Sequence, residues 1–498
     1  MALIQITDLT FTYPGSFDPV FEHVSFQLDT DWRLGLTGRN GRGKTTLLRL
    51  LQGQYPHQGT ITAPGGFEYF PYPIPDAALT PLELLECSFP DVPQWRLRRE
   101  LAPLFVTDDA LYRPFSTLSG GEQAKILLAL LFAREGRYLL IDEPTNHLDE
   151  TGRALVSRYL AKKSGFLLVS HDRAFLDGCV DHILSINRGG IEVQKGNFSS
   201  WYENRQRQDA FELAQNAQLK KEIGRLKQAA RQSRAWADKV ENTKIGPHSA
   251  KVTGEADAMG GRAYIGEQSR RMQQRRKNLE RRQNAAIEEK SALLKNIEQA
   301  APLKLHQLPY HTDRLALLRD VSVCYGGAPV CRGISFCVEQ GDRIALRGAN
   351  GTGKTSLLRL LCGEDVPHTG TVERSSRLRI SYVRQDPSGL RGDLGAYAAR
   401  YGLDESLFKA ILRKLDFARV QFEKDMADFS AGQKKKVLLA RSLCEPSHLL
   451  VWDEPLNYVD VLSRMQIEDL LLEFQPTIVF VEHDRVFCDH VATKAVML

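Results

Sequence analysis

No apolar run in this sequence approaches the roughly 20 residues that a membrane-spanning helix takes. The longest, such as ILLALLFA over 126–133, stop well short. That argues against a chain that crosses the bilayer and for a cytoplasmic one. The opening MALIQITDLT has neither the basic region nor the apolar stretch of a secretory signal. Cysteine is sparse: eight are scattered over 498 residues, with no Cys-x-x-Cys pair and no zinc-like Cys/His spacing. A disulfide framework and a structural zinc are thereby disfavoured, and a reducing compartment is expected. Strong overall charge is missing too, since 66 Lys and Arg face 61 Asp and Glu for a net of +5. What the total hides, the distribution shows. Residues 203–298 carry 21 Lys and Arg against 13 Asp and Glu, a net of +8, and the remainder is left at −3.

A repeat organises the rest of the chain. GRNGRGKT at 38–45 recurs as GANGTGKT at 348–355, an offset of 310. Ser119 in FSTLSGGEQAKILLA matches Ser430 in MADFSAGQKKKVLLA, and Asp142 in LLIDEPTNHLD matches Asp453 in LLVWDEPLNYVD, each 311 apart. His171 in LVSHDRAFLD matches His483 in FVEHDRVFCD at 312. Four motifs held in register mean one domain present twice. A chain of this length is expected to hold two or three domains, and 42% apolar residues suffice for their cores. The expected division is a first domain over 1–200, an insert over 201–311 and a second domain over 312–498. RLGLTG and RIALRG read as buried strands running into the glycine loops, with helices KTTLLRLL and KTSLLRLL behind them. YLLIDEP and LLVWDEP read as central strands of a parallel sheet. Each half is expected to be α/β.

The repeated Gly-x-x-x-x-Gly-Lys-Thr points to nucleotide phosphates. Gly38, Asn40, Gly41 and Gly43, with Gly348, Asn350, Gly351 and Gly353, would let backbone N–H groups curl around the anion at a helix N-terminus. Lys44 and Lys354 would reach the β- and γ-phosphates of ATP. Thr45 and Thr355 would hold Mg²⁺ through their hydroxyls, with Thr46 and Ser356 beside them in the cradle. Asp142 and Asp453 end apolar strands, where a carboxylate is costly unless it serves a cation. Glu143 and Glu454, one residue on, are positioned to accept a proton from an attacking water. His171 and His483 follow apolar strands and are candidates to touch the γ-phosphate. Tyr13 and Tyr325 precede the first and second phosphate loops and are candidates to stack on the base.

This set of residues resembles the ATP-binding cassette superfamily over both halves. LSGGE, Leu118 to Glu122, looks like that family's signature motif. In such proteins two cassettes face head to tail, and the signature of one completes the ATP site of the other. The resemblance implies two composite sites. Site one would join Lys44, Asp142, Glu143 and His171 to Ser430, Ala431, Gly432 and Gln433. Site two would join Lys354, Asp453, Glu454 and His483 to Ser119, Gly120, Gly121 and Glu122. Family cassettes usually carry a glutamine near the metal after the strand that follows the phosphate-loop helix. The second half has it as Gln385, while the first half reads EYFPYP with Tyr72 in that place. Site one, which also borrows Ala431 where the family has glycine, is expected to turn ATP over more slowly.

The insert separates the kinds of cassette protein. A fused importer ATPase would have a short linker, whereas this one runs for about 110 residues. SWYE at 200–203 reads as a capping box that starts a helix. Leu219, Ile223, Leu226 and Ala230 share one helical face, and Leu279, Ala286 and Leu293 repeat at seven, as do Ile287 and Leu294. That pattern suits two antiparallel helices zipped along one seam, each reaching about 50 Å at 1.5 Å per residue. The tip is expected near 241–266, beside the arginine-rich SRRMQQRRKNLERR, whose natural partner is a phosphate backbone. Two cassettes with such a linker resemble the ABC-F family, and GRNGRGKTTLLRLL, RPFSTLSGGE, LVSHDRAF and DEPLNYVD look like its Lsa-type branch. The resemblance implies an α/β fold of two P-loop NTPase cassettes joined by a helical hairpin. It also implies an ATP hydrolase, acting as a monomer with its cassettes paired intramolecularly. Such a protein would enter the exit site of the bacterial ribosome and touch large-subunit rRNA and P-site tRNA. It would protect against lincosamides, streptogramin A and pleuromutilins, with Met259, Arg262 and Tyr264 as the candidate tip residues. A housekeeping translation factor of the same family is the second expectation. A DNA-repair cassette ATPase fits less well, since its coiled coil would lie inside one cassette.

Overall fold

The computed structural model describes residues 2–15, 19–146, 148–187, 190–244, 274, 281, 303, 305, 307–325 and 328–498. The chain divides into two compact units, Met1–Trp201 with Ala300–Leu498, and Tyr202–Gln299. The first half begins with β1 (Leu3–Phe11), β2 (Phe21–Asp29), β3 (Arg33–Thr37), α1 (Lys44–Leu51), β4 (Gln58–Thr62) and β5 (Phe67–Phe70). It continues with α2 (Pro81–Ser88), α3 (Gln94–Leu101), α4 (Gly120–Ala133), β6 (Tyr138–Asp142) and α5 (Glu150–Leu160). It ends with β7 (Phe166–Val169), α6 (Arg173–Cys179), β8 (His182–Asn187) and β9 (Gly190–Lys195). Helix α7 (Phe198–Lys244) follows.

The second half repeats the order with β10 (Arg314–Tyr325), β11 (Ala328–Glu339), β12 (Arg343–Arg347), α8 (Lys354–Cys362), β13 (His368–Arg374) and β14 (Ile380–Val383). Then come α9 (Leu394–Arg400), α10 (Glu405–Lys414), α11 (Ala431–Cys444), β15 (Leu449–Asp453) and α12 (Val461–Phe474). The chain closes with β16 (Ile478–Val481), α13 (Arg485–Val491) and β17 (Lys494–Met497).

Each half has two sheets. The antiparallel ones run β2-β1-β4 and β11-β10-β13; the larger ones run β5-β6-β7-β3-β8-β9 and β14-β15-β16-β12-β17. All pairs in the larger sheets are parallel except β8 with β9. The sequence explains the difference. β1 alternates, with Ile4 and Ile6 buried and Leu3 and Gln5 exposed, as a sheet covered on one face requires. β7 and β16, FLLV and IVFV, are apolar and buried throughout, as strands covered on both faces must be. Leu47, Leu48, Leu50 and Leu51 of α1 join Ile4, Ile6, Leu34, Leu36, Leu140 and Leu167 in one core. Leu357, Leu358, Leu360 and Leu361 of α8 do the same with Leu318, Val338, Leu346 and Val451.

Strand order positions the chemistry. β3 pairs with β7, and β7 with β6, so Leu36 and Asp142 both lie opposite Val169. In the second half Asp453 lies opposite Val481. The carboxyl ends of these strands therefore share one edge, where open α/β sheets bind ligands.

Of the second unit, the structure describes α7 from Tyr202 to Lys244, together with Gln274 and Arg281, both helical. Asn216 and Ile223 are buried, with Leu219 and Leu226 half-buried on the same face at three- and four-residue steps. Ala230 falls on that face by spacing, but its side chain lies outside the described residues. Arg205 pairs with Asp209 at 3.1 Å, and Arg207 with Glu203 at 3.6 Å. Two expectations need correction. Ser200 does not cap this helix, which already begins at Phe198. The Asn197 side chain accepts from the Ser200 N–H at 3.0 Å, satisfying a first-turn donor before SWYE begins. Residues 241–244, at the start of the expected tip, continue the helix. The seam residues Leu279, Ala286, Ile287, Leu293 and Leu294 lie outside the described residues.

Candidate nucleotide sites

Both phosphate loops bend where only glycine fits easily. Gly43 has φ +89°, and a Cβ there would come within 2.6 Å of Val20. Directly behind it, α1 starts at Lys44, whose ammonium donates to Gly38 O at 2.7 Å and Asn40 Oδ1 at 3.2 Å. Lys354 donates to Gly348 O at 2.9 Å and Ala349 O at 2.7 Å. Burial lowers the pKa of both lysines, against the nearby carboxylates. Each ammonium is thus curled into its own loop, close to where a phosphate would lie. Tyr13 donates to or accepts from Thr46 at 2.7 Å, and Tyr325 does the same with Ser356 at 3.1 Å. Tyr13 also packs edge-on to Phe11 and Tyr55.

Each loop opens into a cavity completed by the other half. The first, of about 340 Å³, is lined by Tyr13, Asn40, Gly41, Gly43, Lys44, Thr45 and Thr46 on one side. On the other side stand Asp416, Phe417, Gln421, Ser430, Gln433 and Lys436. The second, of about 450 Å³, is lined by Asn350, Gly351, Gly353, Lys354, Thr355, Ser356, Gln385, Glu454 and His483. Gly120, Asn146 and Leu148 of the first half complete it. Ser119 and Ser430 cap α4 and α11, each closing a box with the third helical residue, Glu122 or Gln433. Gly121, Ala431 and Gly432 occupy the first turns of these helices without lining either cavity. A Cβ on Gly432 would meet Tyr458 O at 2.4 Å, so this glycine permits the close approach there.

At that approach Asn40 Nδ2 donates to Tyr458 O at 2.9 Å and the Asn40 N–H to Asp460 Oδ2 at 3.3 Å. Lys436 donates to the same Asp460 oxygen at 2.9 Å. Burial disfavours the Asp460 carboxylate, yet Lys436 and Lys44 hold its pKa far below the usual range. The sequence held a signal for this contact: Asn146 and Asn457, and Asp149 and Asp460, each recur 311 apart.

The acidic residues differ between the sites. Asp142 Oδ2 accepts from the Tyr69 hydroxyl at 2.9 Å and from Thr45 Oγ1 at 3.3 Å. Burial raises its pKa, opposed by those two bonds. Asp453 is fully buried, and neither of its carboxylate oxygens has a hydrogen-bond partner among the described residues. Burial pushes its pKa up to about 6. An orphaned carboxylate beside Thr355 and Gln385 fits a hard, oxygen-binding divalent cation that completes its shell with phosphates and water. No group of three or more His, Cys, Asp or Glu side chains is arranged to hold a metal among the described residues.

Glu143 and Glu454 both sit in the left-handed region, at φ +53° and +46°. Non-glycine residues there store about 1–3 kcal/mol of strain, and such strain gathers at functional sites. His483 Nε2 lies 3.2 Å from Glu454 Oε1 in a hydrogen bond, and Asn457 Nδ2 donates to Oε2 at 2.6 Å. Burial would raise the Glu454 pKa, but the His483 bond and charge, a bond from Gln385 and the charge of Lys435 together hold it down at about 2. His171 Nε2 and Glu143 Oε1 are also 3.2 Å apart. They are not aligned for a hydrogen bond, and Glu143 Oε1 has no partner among the described residues. Burial, reinforced by Asp142, lifts Glu143 to about 8. The His171 pKa falls well below the ordinary value, through burial and then the charges of Lys44 and Arg464.

Tyr72 does not stand in for the missing glutamine. Its ring packs against Phe89 with centroids 5.0 Å apart, and it is absent from the cavity lining. The tip residues Met259, Arg262 and Tyr264 lie outside the described residues. No described helix is long and apolar enough to cross a membrane.

Comparison with known proteins adds relatives to this geometry. The family model described as ABC transporter matches residues 21–68 and 331–457. The ribosome protection protein VmlR of Bacillus subtilis is 26% identical over 503 residues, covering 99% of this chain and 87% of VmlR. ATP-binding protein Uup of Caulobacter vibrioides is 29% identical over 496 residues, covering 96% of this chain and 75% of Uup. Among solved structures, the archaeal ribosome recycling factor aABCE1, in complex with the stalk protein aP1, superposes with a TM-score of 0.62 at 17% identity. That match covers 98% of this chain and 87% of the other. RNase-L Inhibitor gives 0.58 at 19%, covering 94% and 83%. At these identities the structures speak for the fold alone, which is that of two tandem cassettes.

Proposed function

We propose that the chain is an ATP-binding cassette ATPase of the ABC-F type that acts as a ribosome protection factor. In this reading the ATP-bound, closed form enters the exit site of the bacterial ribosome. The insert between the cassettes then reaches the peptidyl-transferase region, past large-subunit rRNA and P-site tRNA. Met259, Arg262 and Tyr264 at its tip displace lincosamide, streptogramin A or pleuromutilin drugs. Hydrolysis of ATP permits release. The observation that carries this reading is the match to VmlR along 99% of the chain. The net charge of +8 on residues 203–298 supports a phosphate-backbone partner.

The residues take the following parts. Lys44 and Lys354, with the backbone N–H groups of their loops, bind the β- and γ-phosphates. Thr45 and Asp142 in site one, and Thr355, Asp453 and Gln385 in site two, would hold Mg²⁺. When bound, that ion neutralises charge building on the phosphate oxygens. Glu454, ionised and oriented by His483 and Asn457, accepts the proton of the attacking water. Glu143 has the same part in site one but first has to lose its own proton. The signature helices α4 and α11 present their N-termini to the nucleotide held by the other half.

A housekeeping role on the ribosome is the second reading; the relative Uup, at 29% identity against 26% for VmlR, carries no protection role in its name. Expression in a drug-sensitive strain separates them. Protection raises the inhibitory concentration of at least one of the three drug classes, and the double variant Glu143→Gln, Glu454→Gln abolishes it. The housekeeping reading gives no change for any ribosomal drug. Absence of the double variant from ribosome pellets in ATP would contradict both.

A further inference from the structure

Behind site two lies a buried lysine whose counterpart in the first half is an alanine. Lys435 belongs to the run KKK after the second signature, a run that reads as solvated charge. In the structure it is 0% exposed. Its Nζ donates to Glu454 O at 2.9 Å, to Arg384 O at 3.0 Å and, more weakly, to Asp453 O at 3.5 Å. Three donors thus meet three backbone carbonyls, which is how a buried ammonium escapes the penalty of unmet hydrogen bonds. Arg384 immediately precedes Gln385, so one side chain ties the loop after β14 to the end of β15.

The repeat makes this tie specific to one half. At the offset of 311 that aligns the signatures, the counterpart of Lys435 is Ala124. Glu482, buried beside His483, is the leading opposite charge acting on Lys435. Its counterpart, at the offset of 312 that aligns the histidines, is Ser170. Both members of the pair are therefore replaced together by small side chains in the first half. Glu143 reaches φ +53° without any such lysine, so Lys435 is not needed to bend the backbone at the glutamate. What it adds, beside the Gln385 side chain's own bond to Glu454, is a backbone tie between that glutamate and the glutamine loop.

We propose that Lys435 is a positioning residue of site two, which fixes Gln385 against the Asp453–Glu454 end of β15 and so holds the water-activating glutamate and the glutamine in one rigid frame. The proposal rests on ATP turnover at site two and is independent of the ribosomal reading. It is tested in the full chain with Lys435→Met, measuring kcat and KM for ATP. The expected result is a fall of about tenfold in kcat, the usual size of losing a supporting contact, with KM unchanged because Lys354 and its loop are untouched. In the background of Gln385→Ala the same substitution costs nothing further, since Lys435 acts through that loop. Lys435→Gln, which keeps two donors, recovers part of the rate. Should the Met variant not fold, judged by thermal unfolding without nucleotide, Lys435→Gln carries the same cycle. A rise in KM with kcat intact, or losses that multiply in the double variant, overturns the proposal.

Discussion

Site one and site two are built from the same four motifs and yet hold their glutamates in opposite states. Glu454 is bonded to His483 and Asn457 and is held down at about 2. Glu143 has one oxygen without a partner among the described residues and is lifted to about 8. Asp142 accepts from Tyr69 and Thr45, whereas among the described residues Asp453 has no partner of that geometry and Thr355 alone draws its pKa down by hydrogen bonding. Gln385 lines the second cavity, while Tyr72 turns away to Phe89. The difference teaches that duplicated motifs set where a site lies, and the residues around them set how ready it is. Site two presents a buried aspartate and an ionised glutamate; in site one the aspartate is bonded to two hydroxyls and the glutamate is held protonated up to about pH 8.

Three changes break or sharpen this contrast. The largest effect is expected from exchanging the residues after β5 and β14. Gln385→Tyr should slow turnover at site two by about tenfold, as loss of a supporting ligand does. Tyr72→Gln should raise site-one turnover by less, because Phe89 loses its aromatic neighbour. Single-turnover hydrolysis of radiolabelled ATP reads both. A rise at site one that equals the fall at site two would mean that this one position accounts for the whole difference.

Next comes pH. A carboxyl raised from 4.5 to about 8 gives its full stability below the unfolded value and loses it as pH climbs to about 8. Glu143→Gln removes that loss, so the melting temperature of the nucleotide-free variant should gain on wild type between about pH 5 and pH 8. Glu454, lowered to about 2, contributes stability present above its unfolded value and lost only as pH falls toward 2. Glu454→Gln should therefore melt lower than wild type, by an amount that stays flat over the same range. Differential scanning calorimetry in the absence of nucleotide and Mg²⁺ checks both slopes. The smallest effect is expected at Tyr69. Tyr69→Phe should cost about 1 kcal/mol of stability, one neutral hydrogen bond's net worth. Tyr382→Phe should cost less, because no phenol reaches Asp453. Chemical denaturation of the two variants compares them.

Much of this arrangement could be read from the sequence, for definite reasons. Glycine spacing, a lysine and a threonine mark a phosphate loop almost without tertiary help, and Gly43, Lys44 and Thr45, like Gly353, Lys354 and Thr355, each line a cavity. The crossing of the signatures to the opposite cavities followed from family resemblance, and Ser430, Gln433 and Gly120 do line them. Other features depend on burial and backbone shape, which residue type does not encode. Lys435 and Lys436 look like surface charge and are interior, because carbonyls and Asp460 await them. The left-handed glutamates leave no trace in composition. At the start of α7, Ser200 and Asn197 are both good capping residues, and the chain's departure from β9 selects the earlier one.

Steady-state ATPase of Glu143→Gln and Glu454→Gln, each made alone in the full chain, tests the inequality of the sites most directly. Glu454→Gln should remove most of the turnover, and Glu143→Gln should leave the larger part in place. Equal losses from the two substitutions would contradict the account.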